Sequence, residues 1–86
     1  MSYFKYLNEQ IKRLELIDSY KIKMDKSNKE KTKKYYSEGI RLLLNSEETI
    51  DNYKEVLQEY KEALALRKER VKELYNEIKI IKKLRL

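Results

Sequence analysis

The chain has 86 residues, no cysteine and no histidine, and 42% of its residues are charged, with a net charge of +6. This composition excludes disulfides and the usual zinc, haem and iron–sulfur sites. It also removes the commonest general base and the best nucleophile from any catalytic mechanism. We therefore expect a basic, non-enzymatic protein without a metal or cofactor, folded as a single helical domain over residues 1–86.

The absence of proline and the single glycine favour an all-α fold with coiled-coil character. No apolar run approaches the roughly 18 residues that a membrane span needs, and the N-terminus lacks the apolar core of a signal peptide. The sequence therefore predicts a cytoplasmic protein, with a signal-less export route left open, and a membrane partner is not expected.

The first predicted helix begins near Ser2, a residue type that caps helix N-termini. An apolar stripe follows at three- and four-residue spacing, formed by Phe4, Leu7, Ile11, Leu14 and Ile17. Residues 25–34 contain no apolar side chain, and within them Ser27 and Glu30 have capping-box spacing. We therefore expect the first arm to be broken or kinked near 25–28. One continuous helix with a solvated middle is the alternative.

A second apolar stripe, at Tyr36, Ile40, Leu43 and Leu44, ends at the polar pair Asn45-Ser46. Three acids follow, at Glu47, Glu48 and Asp51, and acids are favoured at the positive end of a helix. We therefore predict a corner at residues 45–46 and a long C-terminal helix over about 47–84. The alternative interpretation, that Glu48, Asp51 and Glu55 share one helix face and hold a cation, is much weaker.

The predicted long helix carries a heptad repeat, which is typical of helix-on-helix packing. Its a positions are Leu43, Ile50, Leu57, Leu64, Val71 and Ile78. Its d positions are Ser46, Tyr53, Tyr60, Arg67, Leu74 and Ile81. A parallel homodimer needs opposite charges between position g and the partner's position e, and only Glu77 with Lys82 meets that rule. The pattern therefore favours a bundle helix over a plain parallel zipper.

Two elongated architectures satisfy these patterns, and each leaves apolar surface uncovered. An antiparallel helical hairpin turning at 45–46 would place the lysine-rich segment 25–34 over Leu57, Tyr60 and Leu64. A three-helix arrangement would instead leave the narrower seam bare, at Val71, Leu74, Ile78 and Ile81. Because large uncovered apolar patches mark interaction sites, these seven residues are the candidate protein interface.

We therefore expect an interaction protein that works in a homo- or hetero-oligomeric complex. A bacterial or phage adaptor, inhibitor or assembly partner is typical of this size and pattern.

Nucleic-acid binding is an alternative function, suggested by seven lysines against Asp25 and Glu30 within residues 21–34. Lysines contact phosphate by charge alone, and an adjacent tyrosine can stack on bases. The candidate contacts are Lys26, Lys29, Lys31, Lys33, Lys34 and Tyr35. Such binding would be nonspecific and sensitive to salt.

In length and two-arm pattern, the whole chain resembles the small helical-hairpin partners of bacterial type VII secretion substrates. The turn here has Leu44-Asn45-Ser46 where that family has Trp-x-Gly. The resemblance implies a helical hairpin that pairs with a secretion substrate.

Overall fold

A computed structural model describes residues 2–85, so Met1 and Leu86 lie outside the described part of the chain. It contains three helices, α1 (Tyr3–Lys26), α2 (Glu30–Leu43) and α3 (Tyr53–Leu84), and residues 2–85 form no β-strand. The molecule is elongated, with extents of 70 × 23 × 19 Å. The all-α expectation is confirmed, and of the two architectures the chain adopts the one with three helices.

The first arm breaks where the sequence predicts, but by a different local mechanism. Helix α1 begins with the expected cap, because the Phe4 amide donates to Ser2 Oγ at 3.1 Å. It ends at Lys26, and Ser27 Oγ then accepts a hydrogen bond from the Lys29 amide at 3.2 Å. Lys29 is the N-cap of α2, without a side-chain capping bond. The Ser27 hydroxyl therefore stabilises the turn, and the predicted capping box with Glu30 does not form.

Helix α2 packs closely on α1 at the chain's single glycine. A Cβ atom built on Gly39 would lie 2.9 Å from Cε2 of Tyr20, closer than real Cβ contacts allow. The Tyr20 ring also lies against Tyr36, with ring centroids 5.5 Å apart. Glycine costs helix stability, so its place inside α2 is explained by this approach of the Tyr20 ring.

The long helix begins at Tyr53 rather than near residue 47, because residues 44–52 form turns. The Glu48 amide donates to the Asn45 carbonyl, and the Asn52 amide donates to the Thr49 carbonyl. The Thr49 amide in turn donates to Asn52 Oδ1 at 2.7 Å. The acids predicted to occupy the first turn of the long helix therefore lie before it, in the connection between α2 and α3.

Helices α1 and α3 run antiparallel, in a register that three contacts define. Asp18 accepts a hydrogen bond from the Tyr53 hydroxyl at 2.8 Å. The Tyr6 and Tyr60 rings lie 6.4 Å apart, and the Tyr3 ring lies 5.8 Å from Cζ of Arg67. A hairpin of two nearly equal arms folded at residues 45–46 would set Phe4 against Leu84. The structure does not have this register, because the N-terminus of α1 lies alongside Arg67.

The buried core is small and centres on α1, which packs against both other helices. Leu14 and Ile17 of α1 cluster with Ile40 of α2 and Tyr53 of α3. All the buried apolar residues of the described chain lie at or before Tyr53. The C-terminal half of α3 therefore has no part in this core. We call residues 68–84 the overhang; they extend roughly 25 Å beyond Arg67 at 1.5 Å per residue.

Candidate interaction surface

The overhang carries an uncovered apolar stripe, which we define as Val71, Leu74, Ile78 and Ile81. Val71 is half-buried, while Leu74, Ile78 and Ile81 are 41%, 47% and 51% exposed. These residues are the a and d positions that the three-helix alternative predicts to be bare, and the structure places all four on the projecting helix. Their assignment as an interface stays a prediction.

The same heptad face is covered on the N-terminal half of α3. There the d residues Tyr53 and Tyr60 contact α1, and Val56, Leu57 and Tyr60 pack against the core cluster. The stripe of the overhang therefore continues a surface that already packs on a helix. Beyond Arg67 this surface is no longer covered by α1, because the N-terminus of α1 lies beside Arg67.

The hairpin alternative proposed Leu57, Tyr60 and Leu64 as the interface, on the ground that only the lysine-rich segment would cover them. Helix α1 takes that position instead. Leu57 and Tyr60 pack on the core cluster, and all three residues are partly buried. Burial also raises the pKa of the Tyr60 phenol above its usual value of 10.0. Leu57 and Tyr60 therefore contribute to internal packing, and the assignment of the three residues as an interface stays a prediction.

Basic and acidic side chains surround the stripe unevenly. One flank follows the helix at three- and four-residue spacing and consists of Lys68, Lys72, Tyr75, Lys79 and Lys82. We call this flank the lysine ridge. The other flank consists of Arg70, Glu73, Glu77, Ile80 and Leu84, and Arg70 there pairs with Glu73 at 3.0 Å. The surface therefore combines an apolar stripe, one strongly basic edge and one mixed edge.

An ion pair that the sequence does not reveal anchors the connection between α2 and α3. The Arg13 guanidinium donates to both carboxylate oxygens of Glu48, at 2.7 and 3.0 Å, and to the Leu43 carbonyl at 3.0 Å. Gln10 Oε1 accepts from the same guanidinium at 2.9 and 3.2 Å. The two paired side chains are only 16% and 8% exposed. Arg13 therefore holds the turn against α1.

The Arg13 hydrogen bond is the main cause that lowers the pKa of Glu48 below its ordinary value of 4.5. Sequence reasoning assigned Glu48 to the first turn of a helix, and no local spacing relates it to an arginine 35 positions earlier. A second polar contact of the same separation joins Tyr53 to Asp18, and burial together with that hydrogen bond raises the pKa of Tyr53 to about 12.

The candidate nucleic-acid residues gather around the connection between α1 and α2. All of the lysines proposed as contacts are exposed, and Tyr35 is 71% exposed. Tyr36 is turned toward α1 instead, where Lys23 Nζ lies 5.9 Å from its ring centroid. Asp25 is paired with Lys21 at 3.0 Å, so one acid of this segment is partly neutralised. The structure thus places the proposed contacts together at one corner of the molecule.

Within residues 2–85, no group of three or more acidic side chains is arranged to hold a metal ion. This finding includes the acids for which the sequence suggested a cation site. No helix in the same part of the chain is long and apolar enough to cross a bilayer. Comparison with known proteins finds no matching family model, no matching curated protein and no matching solved structure.

Proposed function

We propose that this chain is a non-enzymatic helical interaction protein. It acts within a homo- or hetero-oligomeric complex as an adaptor, inhibitor or assembly partner, and it binds a partner helix through the stripe of the overhang. The observation that carries the proposal is the exposure of Leu74, Ile78 and Ile81. They continue the heptad positions whose side chains pack on α1 in the N-terminal half of the same helix.

The energetics of burial support the proposal. Fully burying a Leu or Ile side chain gains about 1.5–3 kcal/mol, so burying the remaining half of each gains about 1 kcal/mol. A partner helix would bury matching side chains of its own, which adds a similar amount. The sum over the four residues and their partners is about 8 kcal/mol, which lies within the range of about 4–15 kcal/mol estimated for the cost of association.

The overhang also has no evident structural purpose. The helix continues past Arg67, whose guanidinium lies 5.8 Å from the Tyr3 ring at the N-terminus of α1, although every buried core residue lies at or before Tyr53. Such an extension places apolar side chains in water with no internal gain in packing. An intermolecular contact would bury these apolar side chains.

The proposal is tested by site-specific photo-crosslinking in the native cell. A photoreactive residue replaces Ile78 on the stripe in one variant and Ile80 in the control. Ile80 is 58% exposed and lies on the flank that faces away from the lysine ridge. We expect the probe at position 78 to link to one defined protein, a second copy or another chain, and the probe at 80 to link to it far less. Equal and diffuse labelling from both positions would contradict the proposal.

A second candidate function is nonspecific binding to the nucleic-acid backbone at the corner between α1 and α2. It is favoured by the exposure of Tyr35 next to the cluster of lysines, since an exposed ring can stack on a base. The test is the electrophoretic mobility of short single-stranded DNA and RNA at low salt. A shift that weakens steeply with salt and is lost in the double variant Lys31→Glu, Lys34→Glu would support binding, whereas unchanged mobility would remove it.

The resemblance to the partners of type VII secretion substrates is a further hypothesis within the first class, because it also assigns the chain a helical protein partner.

A further inference from the structure

A helix that covers the stripe must lie end to end with α1. Helix α1 occupies the a and d face of α3 as far as Arg67, where the Tyr3 ring meets the guanidinium. The stripe begins at Val71 on the same face, and α3 runs without interruption from Tyr53 to Leu84. A covering helix therefore continues the line of α1 and has to end near residue 68, where the N-terminus of α1 lies.

A second copy of this chain does not fit in the parallel orientation. Packed helices have axes about 8–10 Å apart, and α1 already lies at that position beside the N-terminal half of α3. In a parallel pair, the copy's α3 would continue from the overhang down to its own Tyr53. That part of the copy would occupy the same space as α1.

In the antiparallel orientation a second copy fits in length but is opposed by charge. Its α3 ends at Leu84, and the heptad spacing would set Val71 against the copy's Ile81 and Leu74 against its Ile78. Antiparallel pairing, however, brings position e of one helix beside position e of the other, so Lys68 of each copy lies near Lys82 of the other, and Lys72 and Lys79 of each lysine ridge lie just outside them at position b. Like charges opposite each other destabilise such a pair and select against it.

Within the described part of the chain, the ridge has no acidic partner. Among residues 2–85, the ion pairs involve Arg13, Lys21, Arg41 and Arg70, and none involves the four lysines of the ridge. A partner helix with acids along the facing edge would convert each repulsive position into an attractive one, and it would also be steered toward the overhang at long range.

We infer that the occupant of the stripe is an amphipathic helix of a different protein, with apolar a and d residues and glutamate or aspartate along the edge that meets Lys68, Lys72, Lys79 and Lys82. It lies in line with α1 and completes the layer that α1 leaves open. This inference rests on the proposed function and specifies the chemistry of the partner.

The test uses the full chain and two designed helical peptides of about 17 residues, the length of the overhang. Both carry Leu and Ile at positions a and d; one has Glu at positions e and g, and the other has Lys there. Binding is followed by fluorescence anisotropy of the labelled peptide. We expect the acidic peptide to bind at least about tenfold more tightly than the basic one, with the difference shrinking several-fold at high salt.

Two pairs of variants locate the binding. Ile78→Glu should abolish binding of the acidic peptide, whereas Ile80→Glu, with the same charge change two residues away, should leave it within about twofold. Reversing the position-e lysines of the ridge with Lys68→Glu and Lys82→Glu should transfer the preference to the basic peptide. The control for that reversal is the pair Lys31→Glu and Lys34→Glu on α2, which changes the net charge equally. All these side chains are exposed, and circular dichroism checks that helicity is retained.

The possible failures distinguish this inference from the proposed function. Equal binding of both peptides, lost in Ile78→Glu, would overturn the acidic partner and leave the stripe as an interface. Self-association that depends on Ile78, without binding of the acidic peptide, would overturn the inference in favour of a second copy. Absence of peptide binding and of self-association, with equal crosslinking from positions 78 and 80, would overturn both.

Discussion

Replacing Glu48 with glutamine should destabilise the protein far more than an ordinary surface charge would. Arg13 donates to both oxygens of this carboxylate, and the two side chains are mostly withdrawn from water. In Glu48→Gln, the amide group presents a donor to the guanidinium where an acceptor stood, and the positive charge of Arg13 loses its partner.

Hydrogen bonds to charged groups contribute about 1.5–3 kcal/mol, and isolating one member of a buried pair costs more. Arg13 keeps its bonds to Gln10 and to the Leu43 carbonyl, so we expect a loss of about 2 kcal/mol. For a domain of this size, that corresponds to a fall in melting temperature of roughly 8–16 °C. The matched control is Glu38→Gln, because Glu38 and Arg41 pair at 3.0 Å but are 55% and 69% exposed. An exposed pair contributes at most about 1 kcal/mol.

The assay is urea denaturation followed by circular dichroism at pH 7 and pH 3. Because the folded state lowers the pKa of Glu48 from 4.5, the contribution of the pair is present above that pH and is lost as the pH falls through the lowered value. The difference between wild type and Glu48→Gln should therefore shrink toward pH 3. In an Arg13→Met background the substitution should cost little. If Glu48→Gln costs no more than Glu38→Gln, or if the difference persists unchanged at low pH, the pair does not anchor the turn.

Three further predictions concern other parts of the fold. The pKa of Tyr53 is raised from 10.0 to about 12. The contribution of its protonated hydroxyl to folding stability is therefore complete below pH 10 and is lost as the pH rises from 10 through about 12. The free energy of unfolding of wild type should therefore fall between about pH 10 and 12 relative to Tyr53→Phe, and parallel curves would contradict this. Gly39→Ala should stabilise a Tyr20→Ala background by about 1 kcal/mol but gain less in wild type, where the Tyr20 ring obstructs the new methyl group; additive effects would refute the close packing. A chain ending at Arg67 should melt within about 5 °C of the full protein, because the core lies at or before Tyr53; a larger loss would show that the overhang stabilises the fold.

The all-α fold class and the apolar faces of the helices were predictable, because both depend on residues that are close together in the sequence. The stripe through Leu7, Ile11, Leu14 and Ile17 is buried as its spacing indicated, and the absence of apolar residues after Met24 located the break between α1 and α2. The start of α3 was harder to predict from the sequence, because acids that are favoured at a helix N-terminus are also common in turns. Glu48 lies in a turn, where its amide donates to the Asn45 carbonyl, and its carboxylate binds Arg13 of α1.

The candidate site was predicted only as a pair of alternatives, for a reason that lies in the heptad itself. A heptad face tolerates sliding by whole repeats, so the sequence could not decide whether Phe4 packs near Leu84 or α1 stops beside Arg67. Contacts distant in sequence fix that register, among them Tyr53 with Asp18 and Tyr60 with Tyr6. Their geometry exists only once the helices have met.

The sequence by itself determined that this protein is helical, that its first arm breaks, and that one face of its last helix is apolar along most of its length. Each of these follows from local periodicity and from the small set of residues that cap or interrupt helices. Only the tertiary structure decided how far α1 runs along α3. Because the N-terminus of α1 lies beside Arg67, the apolar face of α3 divides there into a packed half and an uncovered half, and the proposed interface, Val71, Leu74, Ile78 and Ile81, is in the uncovered half.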